Sequence, residues 1–286
     1  MHRPVNHILF LFALLFVNPG NVLGQSESQN VKWYSYGSHP EQRLGVIQPA
    51  ESLRAASHGA VVYFHGGGWY MGSADWGVGV AQKYADLGLV GITAGYRLSD
   101  QKTVTPVDAV EDARSAIRWV REHADELKID PDRIVARGSS AGGHLATIIA
   151  ELPGDTTNGQ TSCVPNALVL ISPAVDLVND SWFAKLIGSD KRPTDYSPIN
   201  QVRTGMPPTL ILQGKTDTVT PAEGAKKFTT LMQVLGNRCE LVLYDHVGHL
   251  FTPEEESDQD MPNPDPKVAA EAWRESVQFL KSLGYL

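Results

Sequence analysis

The chain has little cysteine, no excess of positive charge and no apolar run long enough to span a bilayer. Its 286 residues include only two cysteines, too few for a fold held together by disulfides. The formal net charge of −8 argues against nucleic acid or an anionic membrane surface as a partner, because both select basic patches. A hydrophobic share of 42% suffices for one substantial core. The composition therefore predicts a single domain over residues 25–286.

The longest apolar run lies near the N-terminus, at residues 8–17. Its ten residues are about half of the roughly 20 that a membrane-spanning helix needs. His2 and Arg3 precede it, and Asn18-Pro19-Gly20 follows and breaks it. This pattern is typical of a secretory signal peptide at residues 1–24, with cleavage after Gly24. We therefore expect a secreted or periplasmic protein without stable membrane insertion; an uncleaved anchor is the alternative.

A serine lies at the centre of the pattern Gly138-Ser139-Ser140-Ala141-Gly142, between a β-branched apolar run and a helix-compatible run. A serine hydroxyl is a poor nucleophile at neutral pH, so a chain presents it on a tight strand-to-helix turn where a base can reach it. The two outer glycines make such a turn sterically possible. The pattern also occurs by chance, but its flanking runs favour Ser140 as a nucleophile.

A run of glycines follows the strand-like residues 60–64. It has the sequence His65-Gly66-Gly67-Gly68-Trp69 and leaves backbone N–H groups unobstructed. Acyl transfer needs such donors, because each preorganised N–H stabilises the negative tetrahedral intermediate by about 3 kcal/mol. We expect the N–H groups of Gly67, Gly68 and Ala141 to form an oxyanion hole. The alternative is a flexible turn or a phosphate loop, but no Lys-Ser or Lys-Thr follows the glycines.

A candidate acid and a candidate base come later in the chain, each directly after a strand-like run. Asp217 follows residues 209–213, and His249 follows residues 240–244. Open parallel sheets place their chemistry at the carboxyl ends of their strands. We therefore expect Asp217 to orient and stabilise the imidazole of His249, and His249 to take the proton of Ser140.

Asp245 and His246 are rivals for these two roles, and Asp217 could instead be a turn or helix-capping residue. The succession of strand, short loop and aspartate favours Asp217. Gly248 favours His249, because it gives the loop freedom to turn the imidazole inward. No spacing among the remaining histidines indicates a metal site, and no cofactor is expected.

The glycine run and the serine turn resemble those of α/β-hydrolase superfamily carboxylesterases, which carry an HGGGW oxyanion loop and a GxSAGGHLA elbow. The resemblance covers residue 60 to the C-terminus. It fits the secreted carbohydrate esterases, which remove acetyl or feruloyl groups from plant polysaccharides, better than the hormone-sensitive-lipase-like esterases. The latter usually have Asp where this chain has Ser139, and Ala-Pro-Glu where Ser99-Asp100 follows Leu98.

This resemblance implies an α/β-hydrolase fold with a mostly parallel central sheet, flanking helices and a short cap insertion. It also implies a serine esterase that acts on short acyl esters, either small molecules or groups linked to a polysaccharide, through an acyl-enzyme at Ser140. An amidase or peptidase is an alternative, because the same triad cleaves both kinds of bond. A noncatalytic binding protein of the same fold is disfavoured, because all parts of the site are present together.

Strand-like and helix-like runs alternate as expected for a parallel sheet covered by helices. One helix is predicted to begin at Thr105-Pro106 and to carry an apolar stripe as far as Leu127. Further helices are predicted at residues 221–235 and 268–283. The cap insertion is expected at residues 174–208, where Trp182, Phe183 and Tyr196 could stack on a sugar or phenolic ring or could anchor the loop to the core.

Two features stay open at the level of sequence. Cys163 and Cys239 each precede a predicted strand and could pair after export, although the strand at residues 209–213 is expected between them. Residues 252–267 are rich in acidic residues and prolines. Calcium binding is one interpretation of this segment, but a solvated loop fits better because no spacing of calcium ligands is recognisable. The oligomeric state and the acyl and alcohol groups of the substrate are not determined by these patterns.

Overall fold

The structure is a computed structural model that describes residues 31–53, 58–152, 159–258 and 260–286. The predicted signal peptide, residues 1–24, lies outside the described residues. Among the helices of the described ranges, none combines the length and the apolar character that crossing a bilayer requires.

Eight strands and seven α-helices make up the regular structure of the described ranges. The strands are β1 (Lys32–Ser35), β2 (Arg43–Ile47), β3 (His58–Phe64), β4 (Val90–Ala94), β5 (Ile129–Ser139), β6 (Ala167–Ile171), β7 (Thr209–Gly214) and β8 (Cys239–Tyr244). The helices are α1 (Val78–Ala85), α2 (Pro106–Glu122), α3 (Ala124–Leu127), α4 (Ala141–Glu151), α5 (Ser181–Ile187), α6 (Ala222–Val234) and α7 (Pro266–Ser282).

The strands form one sheet in the order β1-β2-β4-β3-β5-β6-β7-β8. β2 pairs antiparallel with both β1 and β4, and the strands from β3 to β8 run parallel. This is the strand order of the α/β-hydrolase fold, and it confirms the predicted fold class. Because parallel strands end at the same edge, the segments after β3, β5, β7 and β8 meet there.

The central strands β3, β4, β6 and β7 are buried on both faces, as their apolar sequences indicate. Successive side chains of a strand point to opposite faces. Val61 accordingly packs in the same core as Tyr84 of α1 and Phe279 of α7. Its neighbour Val62 packs in the core that contains Leu145 of α4. This packing on both sides holds β5 and α4, the elements on either side of Ser140, in a fixed position.

The helix predicted to extend from Thr105-Pro106 to Leu127 is in fact two helices. α2 begins with a capping box between Thr105 and Asp108 but ends before His123, whose backbone leaves the helical region (φ −101°, ψ 22°). The ring Nδ1 of His123 lies 2.8 Å from the carbonyl oxygen of Trp119. Leu127 is still buried, because α3 continues along the core. The apolar period therefore persists across the break, and periodicity alone could not reveal it.

The two cysteines are buried, and no disulfide joins them. Cys239 is the first residue of β8, Cys163 precedes β6, and β7 lies between these strands. Burial raises the pKa of the Cys239 thiol to about 11. Such a thiol is a poor nucleophile at neutral pH, so Cys239 is a packing residue.

Candidate active site

Ser140 lies on the turn between β5 and α4. Its backbone has φ 53° and ψ −118°, a conformation that is strained for any residue except glycine. A Cβ atom on Gly138 would overlap the carbonyl oxygen of Gly142, and one on Gly142 would overlap the carbonyl oxygen of Phe64. The turn therefore requires glycine at both positions, and it brings the backbone of α4 against the end of β3.

The hydroxyl of Ser140 is the first member of a chain of hydrogen-bonded groups. Its Oγ lies 3.0 Å from Nε2 of His249. Nδ1 of the same imidazole lies 3.0 Å from Oδ2 of Asp217. The three residues are between 5% and 8% exposed, so little water competes for these bonds. The structure thus brings together the predicted nucleophile, base and acid in the order that proton transfer from Ser140 requires.

Asp217 is held by more donors than His249 alone. Its Oδ1 accepts the backbone N–H groups of Val219 (3.0 Å) and Thr220 (2.7 Å). Its Oδ2 accepts from Nε2 of Gln213 at 2.7 Å. Burial by itself raises the pKa of Asp217, but the hydrogen bond and charge of His249 and the bonds from Thr220 outweigh it, so the pKa is lowered. The carboxylate is therefore ionised at neutral pH.

Gln213 and Thr220 were not identified as site residues from the sequence. The hydroxyl of Thr220 lies 2.9 Å from Oδ2 of Asp217 and 3.1 Å from Nδ1 of His249. Gln213 is fully buried at the end of β7, a strand that is otherwise apolar apart from its first residue. A lone amide at the end of a buried strand was the available signal, since buried polar groups normally have partners.

The rival acid and base point away from Ser140. Asp245 is exposed, and its Oδ1 accepts from Nζ of Lys215 at 2.6 Å. His246 is exposed as well, and its Nδ1 lies 2.8 Å from Oε1 of Glu254. The geometry therefore favours Asp217 and His249 over this pair.

The glycine run turns sharply beside Ser140. Gly67 and Gly68 have φ values of +111° and +57°, which L side chains rarely adopt. A Cβ atom on Gly66 would lie 3.4 Å from the Cβ of Ser140, so the loop directly adjoins the serine. Among the described residues, none accepts a hydrogen bond from the N–H of Gly67 or Gly68. The N–H of Ala141 belongs to the first turn of α4, where helical N–H groups lack an intrahelical acceptor. The N–H groups of Gly67 and Gly68 are thus left without an acceptor in a loop that adjoins Ser140, and the N–H of Ala141 directly follows the serine.

Buried side chains hold this loop in place. The phenol of Tyr96 donates to the carbonyl oxygen of His65 at 2.8 Å. Nε1 of Trp69 donates to Nδ1 of His144 at 3.1 Å, and Nε2 of His144 lies 2.8 Å from the carbonyl oxygen of Tyr196. His144 therefore links the glycine loop, α4 and the cap insertion.

The cap insertion contains α5 and two short 3-10 turns. Phe183 is fully buried, with its ring centroid 5.0 Å from that of Trp69, so it anchors the insertion. Trp182 is partly exposed, and its Nε1 donates to the carbonyl oxygen of Gly68 at 3.2 Å. The rings of Trp182 and Tyr70 meet edge to face at 5.1 Å. Trp182 thus contacts the glycine loop through both a hydrogen bond and the ring of Tyr70.

The acidic segment at residues 252–267 folds back over the loop that carries His249. Pro253 forms a β-bridge with Val247. Glu256 accepts from Nδ2 of Asn263 at 3.0 and 3.1 Å, and Asp258 accepts from backbone N–H groups. Clusters of three or more side chains suited to a metal ion are absent from the residues that the structure describes.

Acid is expected to destabilise the protein through His144. Burial lowers the pKa of this imidazole to about 4, against the opposing hydrogen bond to Tyr196, whereas an unfolded histidine has a pKa of about 6.5. Below pH 6.5 the unfolded chain takes up a proton that the folded imidazole does not. The stabilisation is therefore fully present above pH 6.5 and is lost toward pH 4, by up to about 1.4 kcal/mol per pH unit.

Urea unfolding at pH 7 and pH 5 measures this effect, with His144→Gln as the comparison. Between these pH values, the free energy of unfolding is expected to fall by about 2 kcal/mol less in the variant than in the wild-type protein. The buried His65, whose pKa burial also lowers to about 4, is present in both proteins and cancels. An equal fall in the free energy of unfolding in the two proteins would show that His144 does not cause the acid destabilisation.

Known proteins resemble this chain in both sequence and structure. The profile of the BD-FAE family matches residues 46–232. A probable isoprenylcysteine alpha-carbonyl methylesterase of Arabidopsis thaliana, ICMEL1, is 27% identical over an alignment of 240 residues; the match covers 75% of this chain and 49% of the relative. The chain spans about half the length of the curated relatives that it matches first.

Solved structures of Thermogutta terrifontis esterase 2 match over almost the whole fold. The form phosphoramylated by tabun has a TM-score of 0.78 at 31% identity, over 92% of this chain and 99% of that chain. The butyrate-bound form has a TM-score of 0.77 at 31% identity, over 90% of this chain and 95% of that chain.

Proposed function

The chain belongs to the BD-FAE family, and we propose that it is a serine carboxylesterase that cleaves short acyl esters through an acyl-enzyme at Ser140. The observation that carries this proposal is the pair of 3.0 Å bonds from Asp217 through His249 to Ser140. The comparisons support it, because the Arabidopsis relative is named a methylesterase and the structural neighbour an esterase. Esterase 2 is phosphoramylated by tabun and binds butyrate, which supports an activated serine and a short acyl group.

Acylation begins when Ser140 Oγ attacks the ester carbonyl carbon and its proton passes to Nε2 of His249. The carbonyl π electrons move to oxygen, which becomes a tetrahedral oxyanion. When this intermediate collapses, the bond to the alcohol oxygen breaks, and the alcohol leaves with the proton from His249. The products of this half-reaction are the free alcohol and an acyl group on Ser140.

The N–H groups of Gly67, Gly68 and Ala141 stabilise the oxyanion in this mechanism. The glycine loop after β3 and the start of α4 hold them in place. Little reorganisation is therefore needed as the charge develops. Positive φ at both glycines turns the loop in a way that a side chain would oppose.

Deacylation uses the same groups with water as the nucleophile. His249 takes a proton from water, hydroxide adds to the acyl carbon, and the Ser140 oxygen leaves with that proton. Asp217 accepts from Nδ1 throughout, which keeps Nε2 free to receive a proton and stabilises the imidazolium. Its ionised state follows from the lowered pKa.

We propose further that the protein is exported and deacylates a plant polysaccharide carrying acetyl or feruloyl esters. Export rests on the apolar run at residues 8–17, and N-terminal sequencing of exported protein should begin at Gln25. Polysaccharide binding rests on the aromatic pair beside Gly68. Tyr70 is 45% exposed and stands edge to face with Trp182, and exposed aromatic faces suit sugar rings.

The test is release of acetate and ferulate from acetylated and feruloylated xylan, beside p-nitrophenyl acetate, butyrate and decanoate, with Ser140→Ala as the blank. We expect polysaccharide release and short-chain hydrolysis with little turnover of decanoate. Activity on synthetic short esters alone would contradict the proposed polysaccharide substrate. It would leave the proposed carboxylesterase activity in place. Cleavage of p-nitroanilides in preference to esters would instead identify an amidase.

Tyr70→Ala tests whether this aromatic pair binds the polysaccharide. It should lower deacylation of xylan while kcat/KM for p-nitrophenyl acetate changes little. Trp76 is similarly exposed (48%), so Trp76→Ala controls for the loss of an exposed aromatic ring.

A further inference from the structure

We infer that Asp258 is a positioning residue for the catalytic acid and base, an assignment that rests on the proposed function. Its carboxylate joins the loop that carries Asp217 to the loop that carries His249. Asp258 belongs to the acidic segment at residues 252–267, which had no role at the level of sequence.

Each oxygen of the Asp258 carboxylate accepts from a different loop. Oδ1 accepts the backbone N–H of His249 at 2.7 Å. Oδ2 accepts the backbone N–H of Thr218 at 2.9 Å and lies 3.3 Å from the Thr218 hydroxyl. Thr218 directly follows Asp217, so the carboxylate bonds the base itself and the neighbour of the acid. Such charge-assisted bonds are shorter and about twice as strong as neutral ones.

The close approach of this carboxylate explains Gly248. Gly248 has a φ of −99°, so it does not lie in the left-handed region that favours glycine. A Cβ atom at this position would overlap both carboxylate oxygens of Asp258. The sequence interpretation of Gly248 as a source of loop freedom is therefore incomplete, because its lack of a side chain also makes room for Asp258.

Two backbone bonds between these loops lie nearer the sheet. The N–H of Thr216 donates to the carbonyl oxygen of Val247 at 3.2 Å, and the N–H of Lys215 donates to the carbonyl oxygen of Tyr244 at 2.9 Å. These bonds fix where the loops leave β7 and β8. Asp258 acts on the backbone N–H of His249 itself, where a small rotation of the backbone would lengthen both 3.0 Å bonds of the triad.

The experiment measures kcat and KM of Asp258→Ala and Asp258→Asn on p-nitrophenyl butyrate, per site titrated with a fluorophosphonate. We expect Asp258→Ala to lower kcat by about 10- to 100-fold, since a misplacement of about 1 Å can cost 10²-fold. KM should be unchanged, and labelling should be slower but complete. Asp258→Asn retains one acceptor oxygen and should show a smaller loss; it also provides the test if the alanine variant does not fold.

Glu254→Gln is the matched control, because it removes one carboxylate charge from the same segment while its partner is the exposed His246. Its kcat should equal that of the wild-type protein. A normal kcat per titrated site in the Asp258 variants, even with a lower melting temperature, would overturn the assignment by showing a structural role alone. Equal kcat losses in Asp258→Asn and Glu254→Gln would overturn it in favour of a general charge effect. An inactive, unlabelled wild-type protein would overturn the proposed function and this assignment with it.

Discussion

Ser140→Ala is expected to lower kcat for short acyl esters by about 10⁶-fold, the scale of loss when the nucleophile of a serine triad is removed. Without Oγ no acyl-enzyme can form, and only binding and the oxyanion donors remain. The fold should persist, because the bonds of this turn are made by backbone atoms: the N–H donates to the carbonyl oxygen of Ile171, and the carbonyl oxygen accepts from His144 and Ala174. Hydrolysis of p-nitrophenyl butyrate and thermal unfolding measure both expectations.

Ser139→Ala is the control for this experiment. Ser139 neighbours the nucleophile in sequence, but its Oγ lies 3.3 Å from the hydroxyl of Tyr63. Its removal should leave kcat nearly unchanged. Wild-type rates in Ser140→Ala, or a loss confined to Ser139→Ala, would refute the assignment of the nucleophile.

Asp217→Asn is expected to lower kcat by about 10⁴-fold, the loss that the same substitution of a triad carboxylate causes in serine proteases. The amide that replaces the carboxylate can present Nδ2 to His249, which favours the tautomer with its proton on Nε2. That tautomer cannot accept the proton of Ser140. The substitution also removes the negative charge that stabilises the imidazolium. Steady-state kinetics on p-nitrophenyl butyrate measure the effect.

Asp245→Asn is the matched comparison, since it makes the same chemical change at the rival acid. Asp245 is exposed and paired with Lys215, so the substitution should leave kcat close to that of the wild-type protein. Exposed pairs contribute about 0–1 kcal/mol, and the stability should change little. Equal losses of activity in the two variants would leave Asp217 without its proposed role.

Local sequence patterns were enough to predict the parts of the site that depend on neighbouring residues. The turn at Ser140 needs glycines two positions away on either side, and both requirements are visible in a short window of sequence. The placement of Asp217 and His249 followed from the strands that precede them, because parallel strands deliver their ends to one edge. The rival pair could be separated only by the structure, since Asp245 and His246 also follow β8.

Contacts between distant segments could not be predicted in the same way. The bond from Trp182 to Gly68 joins residues 114 positions apart, and no periodic pattern encodes it. Asp258 is near His249 in sequence, but its role depends on an irregular segment that folds back across two loops. The end of α2 at His123 was missed because the buried stripe continues into α3.

The bond from Trp182 to the carbonyl oxygen of Gly68 adds to the contacts through Trp69 that join the cap insertion to the glycine loop. Exchanging residues 174–208 for the corresponding segment of another esterase would also remove the donor to this carbonyl oxygen in the glycine loop. A successful graft must therefore bring its own donor for that oxygen. A change in the cap insertion would therefore also change the support of the glycine loop.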